Sequence, residues 1–395
     1  MRSDLLGLLA IAAMAIAIFS SGQGLCAEDS VPPRKAETIK DCHDEGDKLK
    51  RADCYDRVTE RRVAEPIEAK TDAPPPESST TTESNSGGRM TGYLAQRWGY
   101  DREPKETRFD LRLYENNYLI ARSSSSPNSS PYKPGPDGTP EYGTVPIDLE
   151  HPELKFQLSL KARVLDFSLK PDGAKEEIKD AIGLWLAYSQ QSQWQAFNNT
   201  QSSPFRESNY QPEAIVSIHP QLFGEDRADF DWHWRVFNVG FGHQSNGQDS
   251  PLSRSWNYLF AQLGFEHDRP DSQWAFVVRP WYRIPESRTT DDNRDLIDYY
   301  GYGDIRATYH GCKVTASLTL RGNPRTGKGA AQLDASFPFW PFSEDPLYPL
   351  QWYVQVFTGY GESLIDYNWR QTTAGIGVRV NDRPPAPPGC SRKSG

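Results

Sequence analysis

At 395 residues the chain has room for one large domain or two smaller ones. A formal net charge of −9 argues against nucleic acid as the main partner. The mean hydropathy is −0.72 although aromatics make up 12% and Trp numbers 11; that balance suits strands alternating apolar and polar around a wet lumen, and also a polar secreted β-protein.

Arg2 supplies a positive start, Leu5 to Ile18 is apolar, and Leu25-Cys26-Ala27 offers a cleavage site, so residues 1–27 read as a secretory signal peptide. The alternative, a lipoprotein acylated at Cys26, meets a poor lipobox in Gln23-Gly24-Leu25. No later apolar run approaches the roughly 18 residues of a spanning helix. The mature chain is then exported and soluble, or it spans a membrane as a closed barrel, because backbone groups in lipid need internal partners. Cleavage after Ala27 leaves Cys42, Cys54, Cys312 and Cys390 in an oxidising compartment. Cys42 and Cys54 are expected to pair; only His43 lies nearby, which argues against a metal site. Cys312 and Cys390 could pair or stay free.

Residues 28–65 form a charged segment, expected to be a small periplasmic extension. Residues 66–90, with Pro-Pro-Pro-Glu-Ser-Ser-Thr-Thr-Thr, have linker composition. From 91 to 382 the pattern is short β segments between turn residues. Residues 123–146 read as a long loop, and the tail from Arg383 is too proline-rich to continue a strand. About a dozen segments are expected, near 108–122, 153–169, 179–196, 210–221, 229–245, 254–267, 272–285, 297–311, 313–322, 329–340, 349–360 and 369–381. Trp352, Val354, Val356 and Tyr360 share one parity, as do Ala374, Ile376, Val378 and Val380. The expected fold is all-β, a transmembrane antiparallel barrel of about 12 strands; a secreted β-sandwich is the alternative.

The chemistry concentrates in Phe237 to Asn257, which reads as strand, tight loop, strand, with Asn246-Gly247 and Asp249-Ser250-Pro251 as turn residues. A hairpin centred on residue 250 sets His243 opposite Asn257, Phe241 opposite Leu259, Val239 opposite Ala261 and Phe237 opposite Leu263. All share odd parity, so His243, Ser245 and Asn257 fall at the rim of an apolar face. On a membrane barrel that face meets lipid. A serine hydroxyl needs a neighbouring base to become a nucleophile, and an orienter across the ladder would fix the imidazole tautomer, as the acid of a Ser-His-Asp triad does. A neutral orienter costs less near hydrocarbon than a carboxylate. A turn N–H such as that of Gly247 could hold an oxyanion. A His and a Ser two apart on a strand are ordinarily surface residues; the Asn across the ladder weakens that reading without displacing it, and spacing alone does not decide between them. The soluble elbow G-x-S-x-G is absent, since Gly242 lies three before Ser245.

His243-Gln-Ser-Asn-Gly247 followed by Ser253-Arg-Ser-Trp-Asn257 closely resembles the signature of the outer membrane phospholipase A family. So do Ser202-Ser-Pro-Phe-Arg-Glu-Ser-Asn-Tyr210, Arg279-Pro-Trp-Tyr282, Thr290-Asp-Asp-Asn293 and Gly359 to Asn368, in order, over roughly 91–382. The resemblance implies a twelve-stranded outer-membrane barrel with a Ser-His-Asn group on its outer surface, hydrolysing acyl esters of phospholipids and lysophospholipids at either glycerol position. It implies calcium dependence and activation by homodimerisation. By position Ser245 is the nucleophile, His243 the base and Asn257 the orienter. The implied dimer calcium takes the Ser253 hydroxyl and the Gln248 carbonyl from one subunit and the Ser202 carbonyl from the other; Gln190 matches a glutamine buried between subunits. Departures are Gln248 in place of a typical Arg, Asp249-Ser250 in reversed order, which bears on a second calcium site using Asp292, and the extension Arg383 to Gly395. Two other function classes stay open: a passive outer-membrane barrel, a porin or structural protein, and a secreted soluble esterase. The preferred lipid, the trigger of dimerisation, the biological role, and the function of residues 28–90 and of the tail are not legible.

Overall fold

The computed structural model describes residues 92–100, 110–135, 139–142, 148–170, 177–198, 205–223, 232–345, 348–381 and Cys390. The expected signal peptide, the Cys42–Cys54 pair, the linker, Ser202 and most of the tail lie outside the described residues. The strands are β1 (Asp110–Leu113), β2 (Tyr118–Ser124), β3 (Tyr132–Pro134), β4 (Pro140–Tyr142), β5 (Pro152–Leu169), β6 (Ile178–Trp194), β7 (Phe205–Ile218), β8 (His233–Ser245), β9 (Ser255–Asp268), β10 (Ser272–Ile284), β11 (Gly303–Gly311), β12 (Thr315–Asn323), β13 (Lys328–Pro338), β14 (Leu350–Tyr360) and β15 (Arg370–Val380). Two short helices, α1 (Tyr93–Trp98) and α2 (Leu296–Tyr300), complete the described elements with one 3-10 turn at Pro220–Phe223.

All strands except β3 and β4 join one sheet whose neighbours are antiparallel, and β5 pairs with β6 as well as with β2, which closes the ring. β1 and β2 both lie on β5, Leu113 opposite Leu160 and Tyr118 opposite Gln157, so they are one strand interrupted at 114–117. The barrel therefore counts 12 strands. The interruption has a local cause: Asn117 Nδ2 donates to Ser159 O (2.9 Å) and Oδ1 accepts from Ser159 N (2.7 Å), so a side-chain amide replaces a ladder partner. Closure leaves no unpaired edge, as hydrocarbon requires. No helix among the described residues is long and apolar enough to cross a membrane.

The pleat sorts residues by parity. In β2 buried and exposed positions alternate along the whole strand, with Ile120 at 1% exposure beside Leu119 at 46%. Leu158, Leu165, Leu259, Leu318, Leu320, Leu333, Val356 and Ile376 face outward in the same way. The predicted parity of the last strands holds: Trp352, Val354 and Val356 sit opposite Val378, Ile376 and Ala374. Inward positions are polar or aromatic; Lys155, Lys161, Asn238, Glu213, Tyr258 and Tyr353 are all buried.

Three sequence expectations are corrected. Residues 93–98 are helical, because Leu94, Ala95 and Trp98 form one apolar stripe between Gly92 and Gly99; α1 fills the lower lumen, the Trp98 ring edge-on to Trp185 at 5.7 Å and facing the Lys161 ammonium at 3.2 Å. The segment near 297–311 begins as α2 and becomes a strand only at Gly303. The long loop at 123–146 carries the ribbon β3–β4, with Tyr132 opposite Tyr142. Cys312 and Cys390, open from sequence, form a disulfide with a Cα–Cα separation of 5.3 Å.

Candidate active site

The upper rim carries the β8–β9 turn, and its register is the one expected from a hairpin centred on residue 250: His243 faces Asn257, Phe241 faces Leu259 and Ser245 faces Ser255. Gly242 permits this pairing to pack, since a Cβ there would run into the Tyr258 ring on the inner side. Ser245 also lies opposite Tyr210, and Tyr210 opposite Gln190, so Gln190, Tyr210, Ser245 and Ser255 form one row across four strands.

His243 Nδ1 and Asn257 Oδ1 are 2.8 Å apart. The amide oxygen can only accept, so Nδ1 carries the proton, and in the neutral ring this tautomer leaves Nε2 free to accept. Ser245, two residues on, projects from the same half-buried face. Among the described residues no hydrogen bond joins its hydroxyl to the imidazole; such bonds commonly tighten only with substrate in place. The other end of the Asn257 amide donates to Glu286 Oε1 at 3.2 Å. Glu286 stands two residues past the end of β10, whose Ile284 pairs with Asn257.

The turn is built by side chains that spacing alone does not single out. Asn246 is buried, its Oδ1 accepts from Arg254 N (2.9 Å), its Nδ2 donates to Leu252 O (2.9 Å) and its own N–H donates to Arg254 O (3.0 Å). Arg254 is fully enclosed and donates to the carbonyls of Pro251 (2.8 Å) and Ser253 (2.7 Å). Asn293 Oδ1 accepts from Ser255 N (3.2 Å), tying the hairpin to the β10–β11 connection. Gly247 has φ +63°, and a Cβ there would come 3.3 Å from the Tyr210 ring, so only glycine fits without strain.

The expected metal ligands divide. Gln248 and Ser253 sit on this same turn and offer a carbonyl and a hydroxyl, oxygen donors of the kind a hard divalent cation takes. Asp292 differs from them in already having a cationic partner: its Oδ1 accepts from Lys133 Nζ at 2.7 Å, and Lys133 also donates to the Ser250 hydroxyl at 3.0 Å. An ammonium already holds that carboxylate. Ser202 lies outside the described residues, and no cluster of three or more His, Cys, Asp or Glu side chains occurs among the described residues. Gln190 lies on the outer wall, accepting from the Tyr188 hydroxyl (3.2 Å) and donating to Ser192 Oγ (3.2 Å).

A cavity of about 240 Å³ lies in the lumen, lined by Tyr258, Arg279, Gln211 and Tyr353 among others. It lies on the opposite side of the wall from His243. The polar cleft of the molecule and its candidate chemistry are therefore separated by one strand thickness, and the chemistry faces outward.

A closed twelve-strand barrel with an apolar outer belt and a polar interior defines an integral outer-membrane protein. The model of the family described as phospholipase A1 matches residues 94–380. Phospholipase A1 of Escherichia coli K12 is 35% identical over 274 residues, 69% of this chain and 82% of the relative. Phospholipase A1 of Proteus vulgaris is likewise 35% identical over 274 residues, with the same coverage of 69% and 82%. Among solved structures, the outer membrane phospholipase of Salmonella typhi, a dimer with bound calcium, aligns with a TM-score of 0.57 and 32% identity over 73% of this chain and 98% of its own. Outer membrane phospholipase A of Escherichia coli aligns with a TM-score of 0.55 and 31% identity, covering 73% and 97%. The chain belongs to the phospholipase A1 family and is an outer-membrane barrel of the phospholipase A type.

Proposed function

We propose that the chain hydrolyses acyl ester bonds of phospholipids and lysophospholipids, at both glycerol positions, through Ser245, His243 and Asn257 on its lipid-facing wall. The observation that carries this reading is the His243–Asn257 hydrogen bond on the same outward face as Ser245, at the rim where an apolar wall meets polar loops. His243 Nε2 takes the Ser245 proton as the hydroxyl oxygen bonds to the ester carbonyl carbon. The carbonyl oxygen becomes an oxyanion, which the Gly247 N–H is suited to hold. Collapse breaks the bond to the glycerol oxygen, and His243 returns the proton to that oxygen. Water repeats the sequence on the acyl-serine, releasing fatty acid and free Ser245. Asn257 keeps the imidazole in the productive tautomer throughout.

Calcium dependence and activation by dimerisation belong to the same reading. The Gln248 carbonyl and Ser253 hydroxyl would hold the ion from one subunit, with Ser202 of the partner subunit completing the set. When bound, calcium would supply positive charge beside the developing oxyanion. Gln190 falls on the same register row as Ser245, a position from which a subunit contact at Gln190 reaches the site. Asp292, held by Lys133, is left out of the ligand set.

The test is a calcium-titrated deacylation assay on phospholipid in mixed micelles, with wild type and Ser245→Ala. Wild type is expected to be active only with calcium, Ser253→Ala to need more of it, and excess chelator to abolish turnover. Turnover by Ser245→Ala at the wild-type rate returns the chain to a passive barrel.

A further inference from the structure

The Asn257 amide is held at both ends. Its oxygen faces His243 Nδ1 at 2.8 Å and its nitrogen donates to Glu286 Oε1 at 3.2 Å. An amide reversed end for end would set two donors against each other at His243 and lose the tautomer. A carboxylate accepts and cannot donate when ionised, so Glu286 dictates which end of the amide meets the imidazole. It also sets a full negative charge one amide beyond the ring, where a neutral orienter alone supplies none.

The surroundings keep that charge in play. Glu286 continues the outward parity of Tyr282 and Ile284. Burial, then the nearby Asp291, push its carboxyl above the usual carboxylate range, while Arg283, the Asn257 hydrogen bond and His243 pull the other way. Arg283 is committed elsewhere, donating to Asp291 Oδ1 (2.6 Å) and to Asn293 O (2.9 Å). The guanidinium thus braces the connection after β10 without an ion pair to Glu286 itself, and the carboxylate is left to Asn257.

We propose that Glu286 is a positioning residue of the site, extending Ser245-His243-Asn257 into a four-membered relay that ends in a carboxylate. This rests on the reading of the site given above. Glu286 takes no proton in the reaction: the serine proton stops at His243 Nε2. Its work is to lock the amide and to favour the imidazolium that forms in the transition state.

The experiment measures kcat, KM and the pH–rate profile at saturating calcium for wild type, Ser245→Ala, Glu286→Gln, Glu286→Ala, Asn257→Ala and the double variant Asn257→Ala/Glu286→Ala, with folded fraction scored by heat-modifiable gel migration. Glu286→Ala is expected to lower kcat about ten-fold, the loss of one charge-assisted hydrogen bond, with KM little changed. Glu286→Gln keeps an acceptor without the charge and recovers part of that loss. In both, the acidic limb of the profile moves to lower pH, because the charge favouring imidazolium is gone. In the Asn257→Ala background, removing Glu286 adds nothing. Equal fractional losses with and without Asn257, or a wild-type kcat and acidic limb in both Glu286 variants, overturn the relay. Full activity in Ser245→Ala would instead overturn the underlying assignment of the site.

Discussion

Glu362 and Asn257 belong to the same barrel but sit on opposite sides of its wall. Glu362 stands in the lumen between Arg122 (2.6 Å) and Lys155 (3.3 Å), all three almost wholly enclosed. Around them Arg206 bridges Glu153 (3.2 Å) and Asp366 (2.8 Å). Asn257 stands outside, a neutral amide bonded to an imidazole in a wall of Phe241, Leu259 and Tyr282. The interior tolerates full charges because each finds a partner, at a desolvation cost that the pairing offsets. Beside hydrocarbon the relay holds a hydroxyl, an imidazole and an amide but no carboxylate, and its one carboxylate, Glu286, is set back past the end of β10. The difference teaches that reactivity in this fold is placed where stability is least dependent on polar groups.

If that division is right, the two regions fail differently. The largest effect is expected at Ser245→Ala, a loss of several orders of magnitude, on the order of 10⁶ when a triad nucleophile is removed, with the heat-modifiable transition of the barrel unmoved. Asn257→Ala should fall short of the ~10⁴-fold loss seen when a triad is left with the wrong tautomer, again without loss of barrel stability. Arg122→Ala inverts the pattern. It leaves Glu362 and Glu153 without their shared guanidinium, a change worth about 3–5 kcal/mol when a buried pair is broken, read as a lower temperature for conversion of the folded band. The protein that remains folded should still turn over lipid. An Arg122 variant with normal stability but no activity would show that the lumen charges reach through the wall to His243.

The outer wall was largely legible in the sequence because period two is a local property: the parity of Phe237 to Ser245 and the turn residues around 250 were enough to set His243 opposite Asn257. The lumen was much less so. Arg122 and Glu153 are cross-strand partners on β2 and β5, but Arg206 and Glu362 come to them from distant parts of the chain and meet them only inside the assembled barrel. The helices α1 and α2 are too short for a periodic signal, and nothing in the spacing of Tyr93 to Trp98 singles it out as helical before its burial inside the barrel is seen. Asn246 and Arg254 fall within motifs that carried the family resemblance, but their work as turn braces follows from hydrogen bonds, not spacing. Glu286 had no signal at all, since nothing in Pro285-Glu286-Ser287 distinguishes it from a solvated loop. Nor could the pairing of Cys312 with Cys390 be read, because 78 residues separate them and no local pattern relates the two.

The smallest expected effect tests the boundary between the two regions, at Lys133. Its ammonium joins β3 to Asp292 and Ser250 above the site, with side chains 13% and 20% exposed for the ion pair. A pair this wet contributes at most about 1 kcal/mol, so Lys133→Met should leave the barrel's thermal conversion nearly in place. The informative readout is the calcium activation curve. With Gln248 and Ser253 as the ligands, freeing Asp292 adds a carboxylate near the site without adding a ligand, and the midpoint should stay where it is. A midpoint shifted to lower calcium in Lys133→Met, and shifted back by adding Asp292→Asn, would mean that the lysine competes with the ion for Asp292. The tethered ammonium would then be a resident substitute for a second cation, and the rim would follow the lumen's rule of pairing every charge.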